Sequence, residues 1–343
     1  MAFREIIGQE KAVNILKGCI RRNRIPHAML FAGDEGIGKR LTALNFAKAL
    51  NCRGTGGVDL FFADMKESGA PDAGDIDACD RCPSCTKTDR ACHPDVFVIR
   101  PEGDGGQITV PAIRRLEESL SYKPFEGRWK VAIIDNADRL NQSASNAFLQ
   151  TLEEPAPRSI LILITSRPDV MLATIRSRCQ RINFTPLPVN LMQELLKERL
   201  EKSDGGKSTL LSVLSGGRLG HALDESLIAQ RDRSFEIFRK MLGRLEEDAW
   251  DDRDEMEKWF DWGEMWLRDI AVFKATARAD FLINRDREHE IREICRGAAL
   301  KDILKLAREL YNIKRKLDFN LNRQLTFNYT AMLLKKMLGR RNN

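Results

Sequence analysis

Four cysteines carry the most specific chemistry in this sequence: Cys52, then Cys79, Cys82 and Cys85 in a C-x2-C-x2-C run. Four thiolates complete a tetrahedral shell around a soft divalent ion and leave no position for water, so the spacing predicts a structural Zn2+ and not a catalytic one. The stretch between Cys52 and Cys79 is rich in Asp and Gly and poor in apolar side chains. It has little with which to build a core, and a metal cross-link supplies the missing constraint. Four unliganded thiols, or a disulfide pair, are the alternatives. The other cysteines, Cys19, Cys92, Cys179 and Cys295, are scattered, which with a metal cluster fits a reducing compartment and predicts a cytoplasmic location.

A second chemistry precedes the first cysteine. Gly33-Asp34-Glu35-Gly36-Ile37-Gly38-Lys39 fits G-x4-G-K, a loop whose backbone N–H groups and lysine cradle phosphates at a helix N-terminus. Gly33, Gly36, Gly38 and Lys39 are therefore the candidate nucleotide-binding residues. The pattern fails at the next position, where Arg40 stands in place of the Ser or Thr that puts a hydroxyl on Mg2+. The partner acid expected at a strand end is Asp135, in Val131-Ala132-Ile133-Ile134-Asp135-Asn136-Ala137-Asp138. Asn136 follows it where a hydrolytic site needs a carboxylate to orient water, and an amide cannot take that proton. Hydrolysis is not expected.

The elements that must position these residues read as alternating strands and helices. Ile25 to Gly33, Val96 to Arg100, Val131 to Ile134, Ile160 to Thr165 and Gln180 to Phe184 are apolar or β-branched runs. Helical patterns at Lys39 to Leu50, Pro111 to Leu120 and Ser143 to Leu152 lie between them. Such alternation predicts an α/β domain with a parallel sheet covered on both faces. Beyond Pro186 and Pro188 the pattern is helical only. The expected division is a nucleotide-binding-like domain over 1–186 with the zinc module at about 52–92, a helical lid over 187–227, and an all-α domain over 228–343.

The chain of 343 residues is 43% hydrophobic and 31% charged, enough for two or three ordinary globular domains. Met1 to Lys11 holds no apolar run and no segment has the length to span a bilayer, so neither secretion nor membrane insertion is expected. The net charge of +6 is unevenly placed, with 12 Lys and Arg against 3 Asp and Glu between Arg296 and Asn343. That surplus faces phosphates, an acidic partner or solvent.

With the G-x4-G-K loop, the cysteine insertion, His93-Pro94-Asp95, Asp135-Asn136-Ala137-Asp138, Leu152-Glu153-Glu154-Pro155 and Thr174-Ile175-Arg176-Ser177-Arg178-Cys179, the sequence resembles the bacterial clamp-loader subunits of the AAA+ group. The resemblance covers about the first 225 residues closely and the helical remainder more loosely. It implies a RecA-like AAA+ domain, a small lid and a C-terminal helical collar. It also implies delta and gamma/tau subunits as partners, and a sliding clamp and primed DNA as what the assembly acts on; ATP or ADP is the ligand the loop would take if its departures leave binding intact, and no bound nucleotide is the alternative. Arg178 corresponds to an arginine finger that reaches a nucleotide on the adjacent subunit. The motor subunits of this family carry Ser or Thr after GK, an Asp-Glu pair, and an arginine where Gly220 stands here; this chain departs at all three. The implied role is a stator that does not hydrolyse ATP. An active gamma/tau-like motor is the competing expectation. A free-standing zinc nucleic-acid module is weaker, since the insertion carries several Asp against Arg81, Lys87 and Arg90.

Overall fold

The computed structural model describes residues 2–54, 76–102, 106–199, 205–224, 226–243, 250–317 and 321–339. Most of the Asp- and Gly-rich stretch between Cys52 and Cys79 lies outside the described residues. Two compact units result: one comprises residues 1–188 with Gly217–Gly220, the other 189–216 with 221–343.

In the first unit the chain runs α1 (Glu10–Arg21), β1 (Ala28–Ala32), α2 (Lys39–Asn51), α3 (Pro83–Asp89), β2 (Val96–Ile99), α4 (Val110–Ser121), β3 (Lys130–Ile134), α5 (Gln142–Glu153), β4 (Ser159–Thr165), α6 (Ala173–Arg176) and β5 (Gln180–Asn183). All pairings are parallel, in the order β2-β3-β4-β1-β5. This is the parallel α/β sheet expected of an AAA+ domain.

Every residue of β1, β3 and β4 is buried. The two-residue period of a strand explains how so apolar a run is used. Met29, Phe31, Val131, Ile133, Ile160 and Ile162 pack on the face that holds Leu16 of α1 and Phe46 of α2. Leu30, Ala132, Ile134, Leu161 and Leu163 turn to the face that holds Leu116 of α4 and Phe148 of α5. Each such side chain contributes about 1.5–3 kcal/mol by leaving water. β2 is half-buried along its length, and only Ile182 of β5 is buried, as befits the two edges.

The remaining elements are helices: α7 (Val189–Arg199), α8 (Gly205–Leu214), α9 (Leu219–Ala222), α10 (Leu227–Leu242), α11 (Arg253–Thr276), α12 (Glu288–Gly297), α13 (Leu300–Lys314) and α14 (Arg323–Leu338). Those from α10 onward enclose an aromatic core in which Trp250 meets Trp259, Phe260 and Phe327, with ring centroids 5.1 to 5.9 Å apart. The indoles of Trp259 and Trp266 donate to the carbonyl and hydroxyl of Ser234 at 3.1 and 3.3 Å, so their polar edges are buried with partners. No described helix is long and apolar enough to cross a membrane.

Candidate functional site

The four predicted cysteines converge, and their sulfurs all lie within 4.8 Å of one another. Tetrahedral metal–sulfur bonds of about 2.3 Å set neighbouring sulfurs roughly 3.8 Å apart, so the set fits a metal ion with little adjustment. Backbone N–H groups favour the thiolate at part of the set, while burial raises the Cys85 thiol. Cys52 Sγ accepts from the N–H of Gly54 and of Cys79, each at 3.4 Å, and Cys79 Sγ accepts from Cys82 N–H at 3.3 Å. Burial alone would raise the Cys82 thiol, but backbone N–H groups at Arg53 and Cys85 outweigh it and bring its pKa below the ordinary value. Gly54 leaves no room for a side chain, as a β-carbon there would lie 2.6 Å from Cys79 Sγ.

The cluster is fastened to the sheet domain by charge. Lys48, with a fully buried side chain on α2, donates to Asp80 and, at 2.8 Å, to Asp89 Oδ2 on α3. Burial lowers the lysine's pKa, yet these carboxylates more than compensate and hold it above normal. Asp77, two residues before Cys79, accepts from the N–H groups of Phe3 and Arg4 at 2.7 and 3.1 Å. The helix α3, which carries Cys85, starts with Cys82 as N-cap and Pro83 inside its first turn.

The second site lies where β1 gives way to α2. Gly33, Gly36 and Gly38 have φ of +152°, +74° and +97°, conformations that side-chain-bearing residues rarely adopt. Lys39 is 6% exposed, and its Nζ donates to the carbonyls of Gly33 and Asp34, each at 2.5 Å. Burial lowers its pKa while Glu35 and Asp135 pull the other way. Asp135, at the end of β3, meets two guanidiniums: Arg40 Nε lies 3.8 Å and Arg100 Nε 4.0 Å from its Oδ2. Burial pushes the Asp135 carboxyl upward and Arg100 draws it back. Thr42, the nearest hydroxyl on α2, turns away to bond Gly38 O at 2.9 Å. Gly220 N–H donates to Gly36 O at 2.8 Å, so the start of α9 meets the loop through its backbone.

Asn136 sits in the left-handed region with φ of +54°. The next acid, Asp138, is already committed: Thr165 Oγ1 donates to it at 2.9 Å and Arg167 Nε at 3.1 Å. Thr165 therefore does more than end its strand, because its oxygen also accepts from Arg167 N–H at 2.9 Å. Periodicity gave no sign of this network, whose members are 27 and 29 residues apart.

Arg178 follows α6. Its guanidinium donates to Glu153 Oε1 at 2.6 Å and to Thr174 O at 3.1 Å, with 38% of the side chain exposed. Leu152-Glu153-Glu154-Pro155 and Ser177-Arg178-Cys179 are thus brought together. Cys179 packs partly against the core, and burial pushes its thiol up to about 12, which makes it inert at neutral pH. His93 is buried in a turn, as its position before Pro94 predicts: Nδ1 accepts from Asp95 N–H at 3.1 Å and Nε2 meets Ser84 Oγ at 3.0 Å. Asp95 accepts from the N–H groups of Phe125, Glu126 and Gly127 at 2.7 to 2.9 Å.

Residues 8–188 match the family described as DNA polymerase III, delta subunit, and residues 247–335 match its C-terminal domain. The chain is 33% identical over 191 residues to the DNA polymerase III subunit delta' of Bacillus subtilis (strain 168), covering 56% of this chain and 52% of that one. It is 31% identical over 220 residues to subunit tau of the same organism, covering 63% and 35%. The chain thus spans about half the length of the first of these relatives and about a third of the second. A solved DNA polymerase III gamma subunit-related protein from Thermotoga maritima aligns over 94% of this chain and 99% of its own, at 18% identity and a TM-score of 0.42.

Proposed function

The chain belongs to the DNA polymerase III delta-subunit family, and from that premise we propose that it is a delta-prime stator of the clamp loader, a subunit that positions and stimulates catalysis without owning it. The observation that carries this reading is the state of Asp135. Its carboxylate is held between Arg40 and Arg100, Asn136 follows it, and the one further acid, Asp138, is bound to Thr165 and Arg167. Neither the hydroxyl that helps hold Mg2+ nor a base for water is available in the pattern that phosphoryl transfer uses. The reading includes the division into a sheet domain over 1–186, a lid over 187–227 and a collar over 228–343. It also includes Zn2+ at Cys52, Cys79, Cys82 and Cys85, a degenerate nucleotide site at Gly33, Gly36, Gly38, Lys39 and Asp135, and partnership with delta and gamma/tau subunits, the sliding clamp and primed DNA.

In this role Arg178 is the chain's contribution to chemistry. Its pairing with Glu153 is half-exposed, and such pairs are worth about 0–1 kcal/mol. The guanidinium can therefore leave Glu153 cheaply and turn to phosphate charge on a neighbouring subunit, where a finger in trans is worth roughly 10³-fold or more in rate. Arg178→Ala should fold and assemble with delta and gamma/tau subunits, yet reduce clamp- and DNA-stimulated ATP hydrolysis and clamp loading by the assembly. Arg178→Lys should rescue little, since an ammonium lacks the bidentate fork. Parental loading rates in the Arg178→Ala assembly would make the residue a local salt bridge and nothing more. The similarity to tau favours the alternative reading, an active motor, which ATP turnover by the purified chain separates from the stator.

A further inference from the structure

A G-x4-G-K loop ordinarily binds its phosphates together with Mg2+, and the residues present do not fit that cation. The hydroxyl that would help hold it is replaced by Arg40, Thr42 is spent on Gly38 O, and the strand-end carboxylate of Asp135 faces two positive groups. A divalent cation beside Asp135 would sit against both guanidiniums, and like charges at such separations repel strongly in a partly buried site.

The same groups suit an anion. The N-cap of α2 is Gly38, which offers no side chain to its first turn, whereas α5, α11 and α14 are each capped by an Asn or Asp oxygen. The N–H groups of that first turn, and the positive end of a helix of 13 residues, are left for an acceptor from outside. Arg40 and Arg100 approach Asp135 at 3.8 and 4.0 Å, beyond hydrogen-bond distance. Among the described residues their N–H groups have no acceptor. Lys39, Arg40 and Arg100 thus gather around one carboxylate, while Asp34 and Glu35 are exposed to solvent on the outer turn of the loop. Exposure to solvent weakens the effect of their charge, although Glu35 and Asp34 still draw the Lys39 pKa upward against burial.

We propose that this loop binds a nucleoside polyphosphate without a divalent cation, Arg40 and Arg100 taking the place that Mg2+ holds in a catalytic loop. The inference rests on the reading of the loop as a non-hydrolysing nucleotide site. Binding requires Lys39 to release the Gly33 and Asp34 carbonyls in favour of phosphate oxygens, while Arg40 and Arg100 turn their free N–H groups toward the phosphate chain. No bond is made or broken.

The test is titration of the zinc-loaded full chain with fluorescent mant-ADP and mant-ATP, with and without Mg2+. The Mg2+-free buffer should be prepared by ion-exchange resin, because a chelator would strip the cysteine cluster. The parent should bind with affinities that agree within about twofold in the two buffers. Arg40→Ser, at a half-exposed position and with zinc content and melting temperature as control, should lose at least tenfold in affinity without Mg2+, about 1.4 kcal/mol. Adding Mg2+ should restore part of that loss. Binding by the parent only in Mg2+, or no binding in either buffer, overturns the proposal. Both readouts use the isolated chain, so they can fail while Arg178 still acts in the assembly, and the reverse.

Discussion

His93 shows how one side chain fixes a loop far from any reaction. Its Nδ1 is an acceptor for Asp95 N–H, so the ring is neutral with its proton on Nε2, facing Ser84. Burial lowers its pKa below the ordinary value, with Glu126 opposing. A histidine depressed in the folded state contributes stability that is full above the unfolded pKa of about 6.5 and is lost as pH falls below it toward the folded value. The melting temperature should therefore decline as pH drops from 7 through 6.5, and His93→Gln should flatten that part of the profile. A parent profile that is flat down to pH 5 would refute this account. Asp95, which gathers three N–H groups, is equally local in its work and keeps its charge to lower pH, since those donors outweigh the effect of burial.

At the scale of elements, the cysteine cluster and α2 stabilise each other through Lys48. Removing the ammonium leaves Asp80 and Asp89 facing one another; breaking a fully buried pair costs about 3–5 kcal/mol, and the partial solvation of Asp89 brings the expected loss for Lys48→Met nearer 2 kcal/mol. Cys82→Ala should abolish stoichiometric zinc, about one ion per chain in the parent, and lower the melting temperature further than Lys48→Met does. Metal analysis beside thermal melts reads both outcomes; unchanged zinc in Cys82→Ala would rule out the four-thiolate site. The strands were legible in the sequence because β1, β3 and β4 are short apolar runs bounded by turn residues, and the cysteines because ligand spacing is a local property. Lys48 was not legible, since a lysine on a helix reads as solvated and its partners lie 32 and 41 residues away. The seven-residue α3 was also hidden, because it is too short for a helical period to show.

For the molecule as a whole, the stator reading proposed above rests on three positions taken together. Arg40, Asn136 and Gly220 occupy three different segments, and on that reading each would remove a different part of ATP turnover. The purified chain should hydrolyse ATP at background rates, and Lys39→Ala should leave that rate unchanged. Turnover well above background that disappears in Lys39→Ala would establish a motor. Arg40 and Asn136 could be read from the sequence because motif spacing exposed them, and Gly220 because the family resemblance did. The pairing of Asp135 with Arg100, and the capture of Asp138 by Thr165 and Arg167, could not, since only strand order brings those residues together at the C-terminal ends of β2, β3 and β4.

The contact between Gly220 and the loop bears on how this chain could change over evolutionary time. A β-carbon at 220 would stand 3.0 Å from the Gly36 carbonyl oxygen, and Gly36 at φ of +74° cannot easily shift to another conformation or accept another residue type. A side chain arriving at 220 before the loop had moved would press on that carbonyl. Positions 36 and 220 therefore constrain one another, and a change of residue type at either waits on a shift of backbone at the other.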